Sequence, residues 1–354
     1  MEAVVQIMRV VHLIDHWGLG GAQRMVNNLI GMDPVNDHRV ISIFRHGARS
    51  WHAEPMFLVD SYWQLPWAFW RLRQVLRSWR PDLLQIHLHG SKLVAYLSGV
   101  TGVHRSVWSE HSAQEYLDIY PPFISRMIGG LTKRAALRVH TIVANSPSTA
   151  DYVHREWGVA KHRIETLSFP VWPSSIAGSR TNHVADRSVV GFVGRLAHHK
   201  DPLAFVRMAQ LVPRAQFWIV GGGPQTEAVV EAIAAAGLTD RVKMWGDRQD
   251  VYDLMSQMHV IVMPSRLETY GLVAREAFVL GVPVVGYAVD GLAEQLTDSP
   301  IGYAVEPGNV TELATMVTHV LDNPSPRSPI KMSDRDDIAP WLDFYVRMHA
   351  EQVS

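Results

Sequence analysis

Short runs rich in Val, Ile and Leu recur along the chain, at residues 10–14, 40–44, 83–88, 141–144, 189–193, 216–220, 260–263 and 283–287. Between them lie longer stretches whose apolar positions return every three or four residues, the period of an amphipathic helix. Strands apolar on both faces, alternating with helices, belong to parallel sheets covered on each side, so the pattern predicts an α/β protein. Between residues 169 and 188 the periodicity stops and Pro, Ser and Gly accumulate, as in a linker. The predicted organisation is a first domain over 1–170, a linker over 171–187 and a second domain over 188–337. Ile338, Trp341, Leu342, Phe344, Tyr345 and Met348 then fall at helical spacing, so 338–354 is predicted as a terminal helix that packs against something. No repeat of solenoid length is found.

A length of 354 residues suits two domains, each able to bury its own core. Lys and Arg number 33 against 34 Asp and Glu, a formal charge of −1, which excludes a basic nucleic-acid coat or an acidic tail. The first 170 residues carry a net +5 and the remainder −6, placing the basic surface on the first domain. There is no cysteine, so disulfide and thiolate chemistry are excluded and a reducing compartment is expected. The start lacks a basic stretch followed by an apolar run, so no signal peptide is expected. The longest apolar stretch, 277–289, is broken by Gly281, Pro283 and Gly286 and is too short to span a bilayer. A soluble protein, at most resting on a membrane, is expected.

The chemistry is expected at strand ends. Residues 263–277 read as strand, loop and helix start, with Glu268 in the loop and Glu276 in the first two turns. Backbone N–H groups at such a helix start attract phosphate, whereas carboxylates beside it suit the hydroxyls of a sugar. A Glu pair eight residues apart also arises by chance. Arg195 and Lys200 bracket the loop after the strand at 189–193, where two cations can converge on one diphosphate; the bland alternative is a solvated basic loop. Gly221, Gly222 and Gly223 end another strand and allow a close backbone approach. Gly20 and Gly21 stand between a strand and a helix in the first domain. They do not match the dinucleotide fingerprint, which argues against a nicotinamide dehydrogenase. His111 is either a site histidine or one of 18 ordinary ones. His87 and His89, two apart at a strand end, suggest a metal site without a third ligand, and a hydrogen-bonded structural role is the better reading. The acidic segment 334–337 reads as a solvated loop.

Taken together, Gly20-Gly21-Ala22, Gly194-Arg195 with Lys200, Gly221-Gly222-Gly223-Pro224, the stretch 246–251, and Glu268 and Glu276 followed by Gly281-Val282-Pro283 resemble the GT-B glycosyltransferases of family 4, glycosyl transferases group 1. The resemblance covers nearly the whole chain. It implies two Rossmann-like doubly wound domains facing a central cleft, with the terminal helix returning to the first domain and the cleft closing by a hinge. It implies retaining transfer of a hexosyl group from a nucleotide-diphosphate sugar, with no metal and no other cofactor. By the same resemblance Arg195 and Lys200 neutralise the diphosphate, Glu268 holds sugar hydroxyls and Glu276 the ribose. Backbone groups of Tyr270, Gly271 and Leu272, with Gly222, bind sugar and phosphate. Gly20 and Gly21 approach the diphosphate, Arg248 stands in the base-binding loop, and His111 faces the sugar's 6-hydroxyl. Tyr270 departs from the Phe usual in the family but keeps the ring. A front-face mechanism, in which the leaving phosphate takes the acceptor proton, fits the lack of an obvious nucleophile.

On the acceptor side, Trp63, Trp67, Trp70 and Trp79 are interleaved with Arg71, Arg73, Arg77 and Arg80, and Arg126, Lys133, Arg134 and Arg138 follow Phe123 and Ile124. Such basic aromatic segments at 63–80 and 123–138 suit an anionic membrane surface. In the other reading the aromatics are core and the arginines a solvated face. No nucleic acid is expected as a partner, because the Glu pair has no role there. The expected reaction extends a cell-surface glycan or lipid-linked saccharide such as lipopolysaccharide in the cytoplasm, peripherally on the membrane. Two alternatives are a nucleotide-sugar 2-epimerase of the same fold and a catalytically silent partner; intact Arg195, Lys200, Glu268 and Glu276 argue against the latter.

Overall fold

A computed structural model describes residues 7–18, 20–45, 52–101, 105–111, 122–171, 176, 188–324 and 333–353. Apart from Val171 and Ile176, the expected linker at 171–187 lies outside the described residues. The chain divides into two compact units, Met1–Pro170 with Asp334–Ser354, and Val171–Ser333.

In the first unit, β1 (Arg9–His16), β2 (Asp37–Phe44), β3 (Met56–Val59), β4 (Leu83–His87), β5 (Ser106–Glu110), β6 (Thr141–Ala144) and β7 (Ile164–Thr166) form one parallel sheet. The strand order is 3-2-1-4-5-6-7. Helices α1 (Gly21–Met32), α2 (Leu65–Trp79), α3 (His89–Leu97), α4 (Pro122–Ala136) and α5 (Pro147–Trp157) connect them. Because crossovers are right-handed, α1 covers one face and α2 to α5 the other. Helix α12 (Asp334–Val353) packs beside α1. Trp341, Phe344, Tyr345 and Met348 are buried there, and the Trp341 indole donates to the Ser168 carbonyl at 2.8 Å. Segment 334–337 is therefore not a loop but the first turn of this helix. Asp337 sits one turn before Trp341 on the buried side and is 7% exposed, so the apolar face reaches back beyond Ile338.

Strands β4 and β5 are buried throughout, as central strands covered on both faces must be. Lys92 of α3 and Glu110 of β5 form an ion pair at 2.5 Å in this core, with the ammonium over the Trp108 ring. Helix α5 shows how local sequence sets an element: Ser146 caps it by accepting from the Thr149 N–H at 3.2 Å, Pro147 opens it and Gly158 at φ 72° ends it.

In the second unit, β8 (Val189–Val193), β9 (Gln216–Val220), β10 (Val242–Gly246), β11 (Val260–Met263), β12 (Val284–Tyr287) and β13 (Gly302–Val305) form a second parallel sheet. Its order is 10-9-8-11-12-13. Helices α6 (Pro202–Leu211), α7 (Thr226–Ala235), α8 (Val251–Gln257), α9 (Leu272–Val279), α10 (Asp290–Asp298) and α11 (Val310–Asp322) cover it. Phe205, Phe217, Val229, Leu313 and Val317 fill the core under α6, α7 and α11. Leu254, Met255, Phe278, Leu292 and Leu296 fill the core under α8, α9 and α10.

Candidate active site

Each sheet reverses its winding direction once, and a parallel sheet opens a crevice at the carboxyl ends of the strands where it does so. In the second unit that place lies between β8 and β11. The loop after β8 is knitted to its neighbours by backbone bonds: Gly194 N–H to Val220 O and Leu196 N–H to Gly222 O, both 2.9 Å, and Gly221 N–H to Gly246 O, 2.8 Å. Gly221 has φ +128°, and a Cβ there would stand 2.0 Å from the Gly194 carbonyl oxygen, so only glycine fits.

Lys200, at the end of this loop, forms an ion pair with Glu268 from the loop after β11. The two loops are tied on the other side as well. The Arg266 N–H donates to the His199 carbonyl at 2.8 Å, and its guanidinium pairs at 2.8 Å with Asp201, which also caps α6. Glu268 further accepts from Ser265 Oγ at 3.4 Å and from the Gly271 N–H at 3.3 Å, immediately before α9. Gly271, at φ 80°, is the residue that turns the chain into that helix. Asp290, which opens α10, accepts the Glu268 N–H at 3.3 Å. Burial pushes the Asp290 carboxyl upward, the Glu268 N–H pulls it down, and the Glu268 charge adds to the upward push. An ammonium and a carboxylate in contact beside a helix start can serve a phosphate and a hydroxyl at once.

Glu276 lies inside α9 with no exposed surface and accepts from Tyr252 Oη at 3.0 Å. Tyr270 is buried, its carbonyl accepting from Gln295, and Leu272 begins the helix half-buried. Arg195 is exposed on the β8 loop. The Gly222 N–H is bound by Asp247 at 2.9 Å. Arg248 is paired at 2.7 Å with Asp250 on the surface and lies over the Trp245 ring, away from the Lys200–Glu268 contact. The structure thus joins Lys200, Glu268 and Gly271 directly. Tyr252 and Asp290 had not been singled out in the sequence, since neither belongs to a motif.

In the first unit the reversal lies between β1 and β4. Gly20 and Gly21 start α1, whose first turn holds no acidic residue. The start of α3 is different: Asp15, at the end of β1, accepts from the Gly90 N–H at 3.0 Å and from the Ser91 N–H, so a protein carboxylate occupies that helix terminus. Strand β5 runs to Glu110, which places His111 just past its carboxyl end. His89 opens α3 and Leu88, at φ 60°, turns the chain, so His87 and His89 do not share a strand face. His87 instead bonds His111 at 2.9 Å and His12 at 3.1 Å, and His12 bonds His38 at 2.9 Å. Burial drives the His111 imidazole down to about 3, with the Lys92 charge adding to the effect. His12, His38 and Asp33 were not singled out in the sequence. They meet only because β2, β1, β4 and β5 are neighbours in the sheet.

A groove of about 720 Å³ opens at the amino ends of β5 to β7, beside Thr141, with Arg347, Met348 and Glu351 of α12 in its wall. Its arginines are engaged within the fold: Arg105 donates to the Met348 carbonyl at 2.7 Å and Arg347 pairs with Glu165 at 2.5 Å. Among the described residues no three His, Asp or Glu side chains are gathered to hold a metal ion.

Residues 19–171 match the family described as Glycosyltransferase Family 4, and residues 179–336 the one described as Glycosyl transferases group 1. A 2-deoxystreptamine glucosyltransferase of Streptomyces kanamyceticus is 32% identical over 277 residues, 71% of this chain and 70% of that enzyme. A 2-deoxystreptamine N-acetyl-D-glucosaminyltransferase of Streptomyces fradiae is 33% identical over 67% of this chain, and the match spans 62% of that enzyme. A lipopolysaccharide core biosynthesis glycosyltransferase of Rhizobium meliloti, LpsD, is 27% identical over 90% of each chain. Among solved structures, HepE of Anabaena in complex with UDP superposes with a TM-score of 0.72, 19% identity and 98% of each chain covered. Two parallel-sheet Rossmann-like units whose first strand reversal is ringed by these loops define the GT-B class, and the chain belongs to the group 1 glycosyltransferases of that class.

Proposed function

We propose that the protein moves a hexosyl group, with retention, from a UDP- or GDP-linked sugar to a hydroxyl of a glycan or lipid-linked saccharide of the cell surface. The observation that carries this reading is the Lys200–Glu268 pair at the start of α9, beside the exposed Arg195. Lys200 and Arg195 neutralise the diphosphate as charge develops on it, which serves in place of a divalent cation. Glu268 and the N–H groups of Gly271 and Leu272 orient the sugar, and Glu276, held by Tyr252, takes the ribose hydroxyls. The bond from the anomeric carbon to the diphosphate oxygen breaks, the acceptor oxygen bonds that carbon on the same face, and the acceptor proton passes to the departing diphosphate. The family resemblance assigns Gly20, Gly21 and His111 to donor binding as well, and Gly222, Arg248 and Tyr270 to the base and phosphate side.

The acceptor is read from two sources. LpsD acts in lipopolysaccharide core synthesis, and its match runs over nine-tenths of both chains. In addition, Trp63, Trp67 and Trp70 stand 94%, 65% and 56% exposed, with Phe123 and Met127 exposed on α4, so these aromatics are not core. Helices α2 and α4 both pack on α3, which sets these groups and the exposed Arg126, Lys133 and Arg134 on one face of the sheet, suited to an anionic bilayer. No helix among the described residues is long and apolar enough to cross a membrane. The exposed aromatic and basic groups are what support a peripheral position at a membrane face.

The test is a thermal-shift screen of UDP, GDP, ADP and their sugars with and without EDTA, followed by turnover with the stabilising donor. Acceptor-dependent release of nucleoside diphosphate that survives EDTA is expected. Conversion of the sugar without any acceptor would identify an epimerase instead, and binding of no nucleotide by folded protein would mark a silent partner.

A further inference from the structure

Four histidines and an aspartate form one continuous hydrogen-bonded line across the first sheet. Asp33 Oδ2 meets His38 Nε2 at 2.8 Å, His38 Nδ1 meets His12 Nε2 at 2.9 Å, His12 Nδ1 meets His87 Nε2 at 3.1 Å, and His87 Nδ1 meets His111 Nε2 at 2.9 Å. The line follows the sheet order β2, β1, β4, β5. His12 and His87 have no exposed surface, and the His38 and Asp33 side chains are 2% and 0% exposed. Buried polar groups of this kind are retained only when their bonds are mutually consistent.

A neutral imidazole has one N–H donor and one acceptor nitrogen. A line of such rings therefore has a direction, and whatever bonds its first ring sets it for all of them. At one end stands a carboxylate, which only accepts. Asp33 is held ionised, at about 2, by His38, Asn36 and the Val35 N–H against the opposing effect of burial. His38 must then donate from Nε2, which leaves its Nδ1 to accept from His12 Nε2–H. The same reasoning passes through His87 to His111.

We infer that Asp33 is a positioning residue that acts through His38, His12 and His87 to hold His111 as the Nε2–H tautomer. The rings stay neutral because burial disfavours charge on each of His12, His87 and His111, and Lys92 opposes it further on His87 and His111. The other ionisable groups packed nearby are Glu110, paired with Lys92, and Tyr345, whose ring lies 5.7 Å from His38 and whose hydroxyl donates to Gln85 at 2.8 Å. The effect on turnover rests on the proposed role of His111 in donor binding; the tautomer itself does not.

The geometry also says what an amide would do at position 33. Oδ1 of Asp33 accepts from the N–H groups of Val35 and Asn36, at 2.9 and 3.2 Å, and Oδ2 accepts from His38 and, at 2.7 Å, from Asn36 Nδ2. In Asp33→Asn the amide oxygen keeps the two backbone donors, so its NH2 faces His38 Nε2, to which it donates, and the Asn36 side chain, whose hydrogen bond is lost. The direction of the whole line then reverses, and His111 becomes the Nδ1–H tautomer.

Long-range proton–nitrogen spectra of the full-length protein labelled with nitrogen-15 histidine distinguish these tautomers at neutral pH. In the wild type His12, His87 and His111 are expected as neutral Nε2–H forms, and His111 found as Nδ1–H or charged would overturn the inference with no variant needed. Asp33→Asn is expected to switch His111 to Nδ1–H and to lower kcat about ten- to a hundredfold, the usual effect of losing an outer orienting partner. An unchanged His111 tautomer in a folded Asp33→Asn protein, or a switched tautomer with wild-type turnover, would overturn it. If the tautomers behave as stated but His111→Ala turns over normally, the line stands and the assignment of His111 to the donor site fails, so the two failures are separable.

Discussion

Lys200 and Glu268 are the residues on which the chemistry depends most, and they restrain each other. Removing the ammonium leaves Glu268 bonded to Ser265 and the Gly271 N–H, so the loop should persist while the charge facing the leaving group is lost. Lys200→Ala is therefore expected to lower kcat about 100-fold, with a melting temperature within a degree or two of the wild type. A variant with full turnover would remove Lys200 from the mechanism. Glu276 calls for a different variant. Tyr252→Phe deletes one hydrogen bond to a carboxylate with no exposed surface, which should cost about 1–3 kcal/mol of stability or of donor affinity. A raised KM for the donor at constant kcat is the expected kinetic form, and titration with the nucleoside diphosphate alone would check it. Glu268, Glu276 and Lys200 were legible in the sequence because their spacing sits on a strand-loop-helix boundary. Tyr252 and Asp290 were not, since their roles depend on which strand lies beside which.

At the level of elements, the strands read from the sequence are those with continuous apolar runs, and eight of them coincide with observed strands to within a few residues. Five strands fall outside those runs: β3, β7, β10 and β13, which are the two edges of each sheet, and the central β5, whose Ser106, Ser109 and Glu110 interrupt the apolar run although all are buried. An edge strand has one free side, is short and carries polar or exposed residues, as in Ile164–Thr166 and Gly302–Val305, so it lacks the buried run that marks a central strand. The terminal helix was read a turn too short for a related reason: its first turn is acidic and only Asp337 shows that the buried face continues. Helix α2 illustrates what periodicity does settle. Ala68, Leu72 and Leu76 are its buried face, while Trp63, Trp67 and Trp70 follow a separate exposed line at a spacing of four and three. Arg71 and Arg73 are engaged with the carbonyls of Leu58 and Ser98, both at 2.5 Å, so they do not neutralise a membrane as freely as their number suggests. Replacing Trp67 and Trp70 by Ser should change folding stability by less than about 0.5 kcal/mol each. It should also reduce sedimentation with vesicles containing phosphatidylglycerol several-fold, and unchanged sedimentation would show that this stripe has another purpose.

Across the whole molecule, the buried histidine line makes the first unit sensitive to mild acid. His12, His87 and His111 all have folded-state values below the ordinary 6.5, the last at about 3, because burial disfavours the imidazolium. In the unfolded chain these three rings take up protons as the pH falls below about 6.5, whereas in the folded unit they do not. The unfolded state then binds more protons, so stability rises with pH in this range and is lost on acidification. Each ring contributes a slope of about 1.4 kcal/mol per pH unit, hence about 4 kcal/mol per unit for the three, against a total stability on the order of 5–15 kcal/mol. Asp33 adds to the loss only further down. Its value is depressed from 3.8 to about 2, so its contribution is present above about 4 and disappears as the pH falls through 2. Urea melts at pH 8.0, 6.5 and 5.5 should show one transition moving to markedly lower urea between the last two, while a second transition, from the unit with β8 to β13, moves little. Near pH 8 the first transition should be insensitive to pH, because every ring is then neutral in both states. Midpoints that coincide at pH 8.0 and 5.5 would mean that the line of rings accepts a proton without unfolding.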